Sequence, residues 1–328
     1  MVNLKEKTIL ITGGTGSFGK NFVKFLLKNT EAKKIIIFSR DELKQFNMQN
    51  EISDKRLRFF LGDVRDLERL SHAFHGVDII VHAAALKQIP TLEYNPFEAV
   101  KTNILGSQNV ISAAITQKVE KVLLISTDKA AYPANLYGST KLCAEKLFIS
   151  GNSYAGGKTK FSCVRYGNVI GSRGSIIETL INKKAGDKIY LTDERMTRFW
   201  ITFSQAFDLV NFALENMEGG EIFIPKIPSM KLLDLFSCLA PGVKLEKVGI
   251  RPGEKLHEVL LTEQESRHCV ELDNYFVILP EFFSYEQYDK YKNIGKISGN
   301  DFNYSSDTNK VWLNESQLNE IIKSYDTL

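Results

Sequence analysis

Two residues near the middle of the chain have the types and spacing of an acid–base pair. Tyr137 and Lys141 are four residues apart, which places both side chains on one face of a helix. An ammonium beside a phenol lowers the pKa of the phenol, so Tyr137 is expected to act as an acid or base near neutral pH. Such a pair suits the transfer of a hydride. The alternative is the amphipathic start of an ordinary helix.

A second acid–base pair lies just upstream, in the run Ser-Thr-Asp-Lys-Ala at 126–130. Asp128 and Lys129 add an acid and a base that simple alcohol oxidation does not need. Burial, the positive charge of Lys141 and that of an oxidised cofactor are expected to lower the pKa of Lys129 from about 10.4, so that it becomes a base. The alternative is an exposed ion pair at the end of a strand.

The segments that would position these residues alternate between short apolar runs and longer helical patterns. Strands are predicted at 8–12, 34–38, 57–61, 77–81, 121–126 and 160–164. This rhythm is typical of a parallel sheet that helices cover on both faces. The expected fold class is therefore α/β, with a Rossmann-like doubly wound parallel sheet.

The alternation ends after about residue 165, where loops containing Gly, Pro and Arg begin. A second, smaller domain is expected there. We assign 1–164 and about 198–227 to a Rossmann domain, and about 165–197 and 228–328 to a smaller C-terminal substrate domain.

The first predicted strand runs directly into a glycine-rich turn and then a helical pattern. The turn has the sequence Gly13-Gly14-Thr15-Gly16-Ser17-Phe18-Gly19. Glycines there permit the tight turn, the approach of the backbone to a pyrophosphate and close packing of helix on sheet, while the helix N-terminus faces the anion. After a first strand, this motif predicts dinucleotide binding. The alternative is a structural glycine-rich cap.

The residues after the second predicted strand bear on the choice of cofactor. Ser39 and Arg40 come first, Asp41 follows, and Lys44 lies one turn later. An acidic residue in first place would bind a free ribose diol, whereas Ser39 and Arg40 suit a 2′-phosphate, so NADP is expected over NAD. In the alternative, Arg40 is solvated and Asp41 binds the ribose.

Further cofactor contacts are expected after the third and fourth strands. Asp63, followed by Val64, is expected to hydrogen-bond the adenine amino group, and the small residues Ala83 and Ala84 let the cofactor lie close to the backbone. We interpret His82, at the end of an apolar strand, as a core or hydrogen-bonded residue. The histidines show no ligand spacing, so no metal is expected.

The composition of the chain narrows the possible partners. The 42 basic and 39 acidic residues give a net charge of +3, which provides no global attraction for nucleic acid or an anionic membrane. No apolar stretch reaches the roughly 18–20 residues that span a bilayer. The four cysteines lie far apart, and the first residues do not form a signal segment. We expect a reduced, cytoplasmic protein.

Together these motifs resemble the extended short-chain dehydrogenase/reductase family, and within it the inverting UDP-N-acetylglucosamine 4,6-dehydratases of the pseudaminic acid pathway. The resemblance covers almost the whole chain and includes the runs at 165–169, 196–200 and 251–258. Asp-Lys at 128–129, where most sugar-nucleotide 4,6-dehydratases have Asp-Glu, indicates a subgroup. Tyr132 and Ala134 are less usual for that subgroup.

The resemblance implies an internal redox cycle on UDP-N-acetylglucosamine with NADP. Tyr137, as a phenolate stabilised by Lys141, takes the proton of the 4-hydroxyl, which Thr127 hydrogen-bonds, while C4 gives up a hydride. Lys129 then removes the proton on C5, and protonated Asp128 donates to the departing 6-hydroxyl. Hydride returns to C6, and protonation of C5 from the opposite face gives an L-arabino product.

The resemblance and arginine chemistry add further site residues. Lys87 and Asn103 occupy positions that face cofactor and substrate in the family, although Asn103 could instead cap its helix. Arginine forks match the oxygens of phosphates, which suits a nucleoside diphosphate. With Lys87, the expected substrate-binding residues are Asn168, Arg173, Arg198, Arg251 and Glu254.

The family also implies a homo-oligomer, in which helices near 103–115 and 137–148 pack side by side. The apolar residues proposed for this contact are Ile104, Leu105, Val110, Ile111, Leu142 and Leu147. In the alternative, all of them enter the core of their own chain.

Three functions remain open at this point. The first is the inverting dehydratase. The second is a retaining 4,6-dehydratase or a nucleotide-sugar epimerase, because the sequence does not fix the face on which C5 is protonated. The third is a non-catalytic, NADP-sensing protein on the same fold, a class that commonly lacks the Tyr-x-x-x-Lys pair.

Overall fold

The computed structural model describes residues 3–183, 187–281, 285–298 and 302–325. The strands are β1 (Thr8–Thr12), β2 (Lys34–Ser39), β3 (Leu57–Leu61), β4 (Ile79–His82), β5 (Lys121–Ile125), β6 (Lys160–Val164), β7 (Asn168–Val169), β8 (Lys188–Leu191), β9 (Thr197–Ile201), β10 (Ile222–Pro225), β11 (Ser229–Lys231), β12 (Lys244–Lys247), β13 (Val259–Leu261), β14 (Cys269–Glu271), β15 (Tyr275–Ile278), β16 (Lys296–Ile297) and β17 (Tyr304–Ser305).

The helices are α1 (Ser17–Asn29), α2 (Glu42–Glu51), α3 (Leu67–Ala73), α4 (Ile89–Tyr94), α5 (Pro96–Ala99), α6 (Gly106–Thr116), α7 (Leu136–Tyr154), α8 (Ile176–Ile181), α9 (Phe203–Asn216), α10 (Leu232–Leu239), α11 (Glu263–Ser266), α12 (Asp289–Ile294) and α13 (Glu315–Tyr325). A π-helical turn at Val100–Leu105 and short 3₁₀ turns at Asp128–Ala130 and Tyr285–Tyr288 complete the regular structure of the described ranges. None of these helices is long and apolar enough to cross a membrane.

The described residues form a large sheet with strand order β16-β14-β15-β10-β6-β5-β4-β1-β2-β3. The strands from β10 to β3 pair in parallel, and β15, β14 and β16 extend one edge in antiparallel pairings. Strand β1 lies between β2 and β4. The chain continues from β1 to β2 and β3 on one side and then crosses over to β4 on the other side. Such a switch point opens a crevice for ligands beyond the carboxyl ends of the strands. The predicted α/β, doubly wound parallel sheet is confirmed.

The sequence of the central strands explains their position. Every residue of β1 is buried, as expected of a parallel strand that helices cover on both faces. The predictions for β1, β3 and β6 match the observed bounds, whereas β2 is one residue longer, β4 begins at Ile79 and β5 ends at Ile125.

The second half of the chain shares the large sheet and also builds a separate core. Strands β14, β15 and β16 fall in the range predicted for the substrate domain, yet they pair with the large sheet. Strand β9 instead lies between β11 and β7 in a small sheet. A second hydrophobic cluster surrounds Trp200, Met230 and Phe236. The division into two domains stays a prediction.

The residues proposed for self-association have different environments. Val110 and Ile111 of α6 are fully buried in the chain's own core, so their proposed place in an interface is wrong. Helix α6 packs between α3 and α7, which explains their burial. Leu105 is exposed, as are Tyr94 and Phe97 on the two preceding helices.

Candidate active site

A large cavity of about 870 Å³ lies beside the glycine-rich turn and reaches the second hydrophobic cluster. The predicted site residues in its wall are Gly13, Thr15, Gly16, Ser17, Phe18, Gly19, Lys44, Ala83, Lys87, Thr127, Lys129, Tyr137, Lys141, Asn168, Arg173, Arg198, Arg251 and Glu254. A neighbouring cavity of about 530 Å³ includes Ser39, Arg40, Asp41, Val64 and Ala84. Of the predicted site residues, Asp63, Asn103 and Asp128 line neither cavity.

The glycine-rich turn fits the close approach of a dinucleotide. Gly13 has φ +66, and a Cβ built there would lie 2.9 Å from the backbone nitrogen of Ala84. A Cβ at Gly19 would lie 2.6 Å from the carbonyl oxygen of Gly13. Helix α1 begins at Ser17 without a side-chain cap, and its first residues, Ser17 to Gly19, line the cavity, so its first amides are left without a side-chain partner there. This arrangement suits a pyrophosphate.

In the turn between β2 and α2, the acidic residue caps the helix. The Asp41 carboxylate caps α2, accepting from Lys44 N at 3.0 Å, and pairs with Lys44 Nζ at 2.6 Å. Arg40 is half exposed, and its Nη1 lies 3.4 Å from Asp63 Oδ2. Asp63 also binds Arg65 at 2.7 Å. Both arginine side chains contact Oδ2, and Asp63 lines neither cavity, so its predicted contact with adenine stays a prediction.

Asn103 has a different role from either of the two predicted. It is 2% exposed, inside the π-helical turn. Its side chain accepts from Leu86 N at 2.8 Å and donates to Leu86 O at 2.9 Å and to Thr140 Oγ1 at 3.0 Å. Asn103 therefore neither lines the cavities nor caps a helix. It fixes the segment that carries Lys87 against α7.

Helix α7 presents Tyr137 and Lys141 to the cavity. Its N-cap, Asn135, accepts from Gly138 N at 2.9 Å and donates to Gly253 O at 2.9 Å. The cap thus joins the start of this helix to the turn at 251–254. This contact brings the substrate-side turn close to the first residues of α7.

Buried ion pairs hold the middle of α7. The Arg165 guanidinium is fully buried and binds Glu145 of this helix at 2.6 Å and Glu265 at 2.8 Å. Ser126 Oγ donates to the same Glu145 at 2.5 Å. Because Glu145 lies one turn after Lys141, these contacts fix the face of the helix that carries the acid–base pair.

The phenol of Tyr137 does not have the predicted low pKa. Burial raises the pKa of Tyr137, while the Lys129 ammonium and a hydrogen bond with Thr127 oppose that effect. Burial also lowers the pKa of Lys141 to about 8, although Glu145 acts in the other direction. The ammonium of Lys141 donates to Ile125 O at 2.8 Å. The prediction is wrong because burial outweighs the nearby positive charge.

Asp128 lies behind the cavity wall, on the 3₁₀ turn after β5. Its side chain is fully buried, and Oδ1 accepts from Lys129 Nζ at 3.0 Å and from Thr127 Oγ1 at 2.9 Å. Oδ2 has no hydrogen-bond partner. Burial raises the pKa of Asp128, and Glu258 adds to the effect. A protonated Asp128, as the predicted mechanism requires, is consistent with this environment.

Lys129 lies between two carboxylates. Its Nζ is 3.0 Å from Asp128 Oδ1 and 3.6 Å from Glu258 Oε1, and it donates to Asn168 Oδ1 at 3.4 Å. Burial acts to lower the pKa of Lys129, but the two carboxylates raise it above the ordinary value. The predicted lowering is therefore wrong, because the charges of Asp128 and then of Glu258 outweigh burial and the positive neighbours.

Glu258 is a site residue that sequence reasoning missed. Its carboxylate is 3% exposed, lines the cavity and lies 3.1 Å from Lys255 Nζ and 3.8 Å from Arg198 Nε. The sequence feature that could have indicated Glu258 is its position at the end of the run 251–258, which includes Arg251 and Glu254. A charged residue in an unassigned segment does not by itself indicate burial.

The cationic side chains that were predicted to bind the substrate already contact other groups of the protein to different extents. Arg198 is 9% exposed and donates to the carbonyls of Thr197 at 2.7 Å and Leu256 at 3.0 Å. Lys87 donates to Arg173 O at 3.3 Å, and burial followed by the charge of Lys129 lowers its pKa. These cations still lie along one cavity, as binding of an anion requires.

His82 is a core residue, as predicted. It is 1% exposed, with Nδ1 2.7 Å from Thr12 Oγ1 and Nε2 3.3 Å from Ser107 Oγ. Burial lowers the pKa of His82 to about 3, so the ring is neutral. Across the described ranges, no group of three or more His, Cys, Asp or Glu side chains could hold a metal ion.

The sheet, the glycine-rich turn and the cavity beside it define an α/β protein of the Rossmann fold class. A family model described as polysaccharide biosynthesis protein matches residues 9–280, and the chain belongs to that family.

Named relatives are similar over most or all of the chain. A UDP-N-acetylglucosamine 4,6-dehydratase (inverting) of Campylobacter jejuni serotype O:2 is 49% identical over 326 residues, which is 97% of each chain. A UDP-glucose 4-epimerase of Rickettsia felis is 43% identical over 83% of each chain. The X-ray structure of Pen from Bacillus thuringiensis superposes with a TM-score of 0.89 at 40% identity and covers all of both chains.

Proposed function

We propose that this protein is an NADP-dependent UDP-N-acetylglucosamine 4,6-dehydratase that inverts C5. The product would be UDP-2-acetamido-2,6-dideoxy-β-L-arabino-hex-4-ulose, the first intermediate of pseudaminic acid biosynthesis. The observation that carries the proposal is the contact of Lys129 with Asp128 beside Tyr137, at one cavity. The 49% identity to a relative with this printed name supports the substrate and the inversion.

The first half of the reaction belongs to α7 and the strand end before it. Tyr137 takes the proton of the sugar 4-hydroxyl, and Thr127, which lines the same cavity, orients the hydroxyl. NADP held along the glycine-rich turn would supply the acceptor for the C4 hydride and the donor for C6, where hydride addition is balanced by a proton at C5, and its oxidised form would add a positive charge that favours a deprotonated Tyr137. Lys141, whose pKa is about 8, exchanges protons near neutral pH.

The second half needs Lys129 as an amine and Asp128 as a carboxylic acid. One shared proton gives this state, because transfer from the Lys129 ammonium to the Asp128 carboxylate leaves both groups neutral. The 3.0 Å contact permits the transfer, and burial favours neutral forms. Lys129 then takes the C5 proton. Asp128 supplies the proton for the departing 6-hydroxyl through Thr127, which contacts Asp128 and lines the cavity.

An epimerase is the second candidate, because one relative at 43% identity is named UDP-glucose 4-epimerase. Epimerisation at C4 requires the Tyr137–Lys141 pair, a cofactor and rotation of the 4-ketone. It does not require a base for C5 or an acid for the 6-hydroxyl. The buried Asp128–Lys129 contact therefore favours a dehydratase.

Proton NMR in D₂O with UDP-N-acetylglucosamine and catalytic NADP tests the proposal. We expect a new C6 methyl signal, deuterium at C5 and the ring couplings of an L-arabino sugar. D-xylo couplings with the same methyl would identify a retaining dehydratase. An inverted C4 without a methyl would identify an epimerase, and a cofactor that binds but never cycles with any nucleotide sugar would identify a sensor.

A further inference from the structure

A residue with a buried carboxylate lies on the far side of Lys129, and its backbone is held in place. The backbone of Glu258 is held by Ser306, whose hydroxyl accepts from Glu258 N at 2.9 Å and whose amide donates to Glu258 O at 2.8 Å. Ser306 is itself fully buried. Glu258 Oε1 then lies 3.6 Å from Lys129 Nζ. A buried negative charge on an anchored backbone therefore faces the flexible side chain of Lys129.

Glu258 has two cationic neighbours besides Lys129. A buried carboxylate requires a partner. Lys255 Nζ lies 3.1 Å from Oε2, and Arg198 Nε lies 3.8 Å from Oε1. Lys255 also donates to Ala131 O at 2.8 Å, close to the catalytic turn. Against the effect of burial, the Lys129 ammonium does the most to lower the pKa of Glu258. Arg198 and Lys255 remain beside the carboxylate when Lys129 is neutral.

Lysine has a flexible four-carbon stem, so one carboxylate does not fix its ammonium. Asp128 precedes Lys129 in the chain and contacts the ammonium from one side. Glu258, the residue before β13, approaches from beyond the catalytic turn. Two carboxylates from separate segments restrict Nζ to the space between them, next to the cavity.

We propose that Glu258 is a positioning residue for the Asp128–Lys129 pair, holding the Lys129 side chain in place and determining the pH range in which the pair keeps its one shared proton. The inference rests on the proposed function, since it assigns the pair its task in dehydration.

The proton count of the pair explains why this charge matters. With two protons, Lys129 is an ammonium and cannot act as a base; with none, Asp128 has no proton to give. The form with one proton carries the reaction, between two apparent pKa values that belong to the pair. The fixed negative charge of Glu258 raises both values, because it stabilises each more protonated form. The charged and titratable groups that face the pair are Glu258, Arg198, Lys255, Lys87 and Tyr137.

Glu258→Gln tests the inference because it removes the charge and keeps the shape. We expect both limbs of the pH–rate profile of dehydration to move to lower pH, by about 1–3 units. The direct readout is the titration of Lys129 in protein labelled with ¹³C-lysine, its signal assigned with Lys129→Gln. That titration should move in the same direction. A purely structural role would reduce the rate without moving either curve.

Three further variants complete the test. Glu258→Asp keeps the charge and should retain a Lys129 titration close to wild type while turnover falls. Glu194→Gln makes the same chemical change in an exposed ion pair with Lys247, outside the cavity wall, and should leave both curves in place. If Glu258→Gln does not fold, Lys255→Gln serves instead, and removal of the cation nearest the carboxylate should move the titration to higher pH.

An unmoved Lys129 titration in folded Glu258→Gln, or in Lys255→Gln where that variant is used, would overturn the inference. The titration does not depend on turnover. A wild-type protein that makes no 4-keto-6-deoxy product would contradict the proposed function, whereas a normal product with unmoved titration would contradict the role of Glu258 alone.

Discussion

Two buried lysines of the site have pKa values shifted in opposite directions. Burial penalises the ammonium of both. Lys141 donates to a backbone carbonyl, that of Ile125, and burial lowers its pKa to about 8. The Lys129 side chain is 21% exposed and also penalised by burial, yet the carboxylates of Asp128 and Glu258 outweigh that penalty and raise its pKa. The identity of the acceptor therefore decides the charge state of a buried lysine.

We predict that Lys141→Met stabilises the protein at pH 7 and abolishes dehydration. A pKa of about 8, against an unfolded value near 10.5, means that the folded state holds a buried charge at a cost of about 3 kcal/mol below pH 8. The lost hydrogen bond to Ile125 returns about 1 kcal/mol, so the free energy of unfolding should rise by about 2 kcal/mol. Urea unfolding measures it.

The pH dependence gives this prediction its sign. The unfolded chain binds more protons than the folded chain between pH 8 and 10.5, so wild-type stability rises in that window relative to Lys141→Met. The advantage of the variant should therefore shrink at pH 10. Lys146→Met, on the exposed face of the same helix, should change stability by less than about 0.5 kcal/mol. Equal effects of both variants would contradict the argument.

The sequence predicted which residues meet at this site better than it predicted their charge states. Tyr137, Lys141, Thr127 and Lys129 are in the same cavity wall because spacing along one helix and one strand end is a local property. The pKa of Lys129 depends on Glu258, which a distant segment brings within 3.6 Å. Such a contact has no local sequence signal.

At the scale of elements, the turn from β2 to α2 bears on the cofactor. Asp41 caps α2 and pairs with Lys44, so its carboxylate is engaged in starting the helix. Arg40 precedes it, half exposed at the second cavity. A guanidinium there suits a 2′-phosphate, with Asp63 orienting it.

We predict that the protein binds NADP more tightly than NAD, and that Arg40→Ser weakens NADP binding by about 10–100-fold, since a hydrogen bond to a charged group contributes about 1.5–3 kcal/mol. The dissociation constant for NAD should change little. Isothermal titration calorimetry measures both. Arg58→Ser, an exposed arginine on β3, is the matched control and should affect neither cofactor. Tighter binding of NAD by wild type would reject the NADP assignment.

The elements themselves were predicted unevenly, for physical reasons. Parallel strands such as β1 are continuous apolar runs, which the sequence shows directly. Strands β14 and β16 have three and two residues, too few to show a period. They join the sheet through antiparallel pairing, which needs no crossover helix and so no repeating βα rhythm. Three strands of the large sheet therefore lie in the range 228–328, which was predicted as part of the substrate domain.

At the scale of the whole molecule, the surface of α4, α5 and the π-helical turn is unusually apolar. Tyr94 is 87% exposed, Phe97 62% and Leu105 49%. These elements pack on α7, so the surface adjoins the helix that carries the acid–base pair. The amphipathic pattern of the sequence could not distinguish these exposed apolar residues from the buried Val110 and Ile111. Helix α6, which carries the buried pair, is covered by two other helices.

We predict a homo-oligomer that contacts through this surface, because clustered exposed aromatic residues favour burial in an interface. Phe97→Asp should give a smaller species by light scattering at micromolar concentration, with the thermal unfolding of the chain itself preserved. Phe46→Asp is the matched control, since Phe46 on α2 is 60% exposed but lies outside the surface. A monomeric wild type, or dissociation by both variants alike, would refute the assignment; dissociation by Phe97→Asp alone would place the interface beside α7.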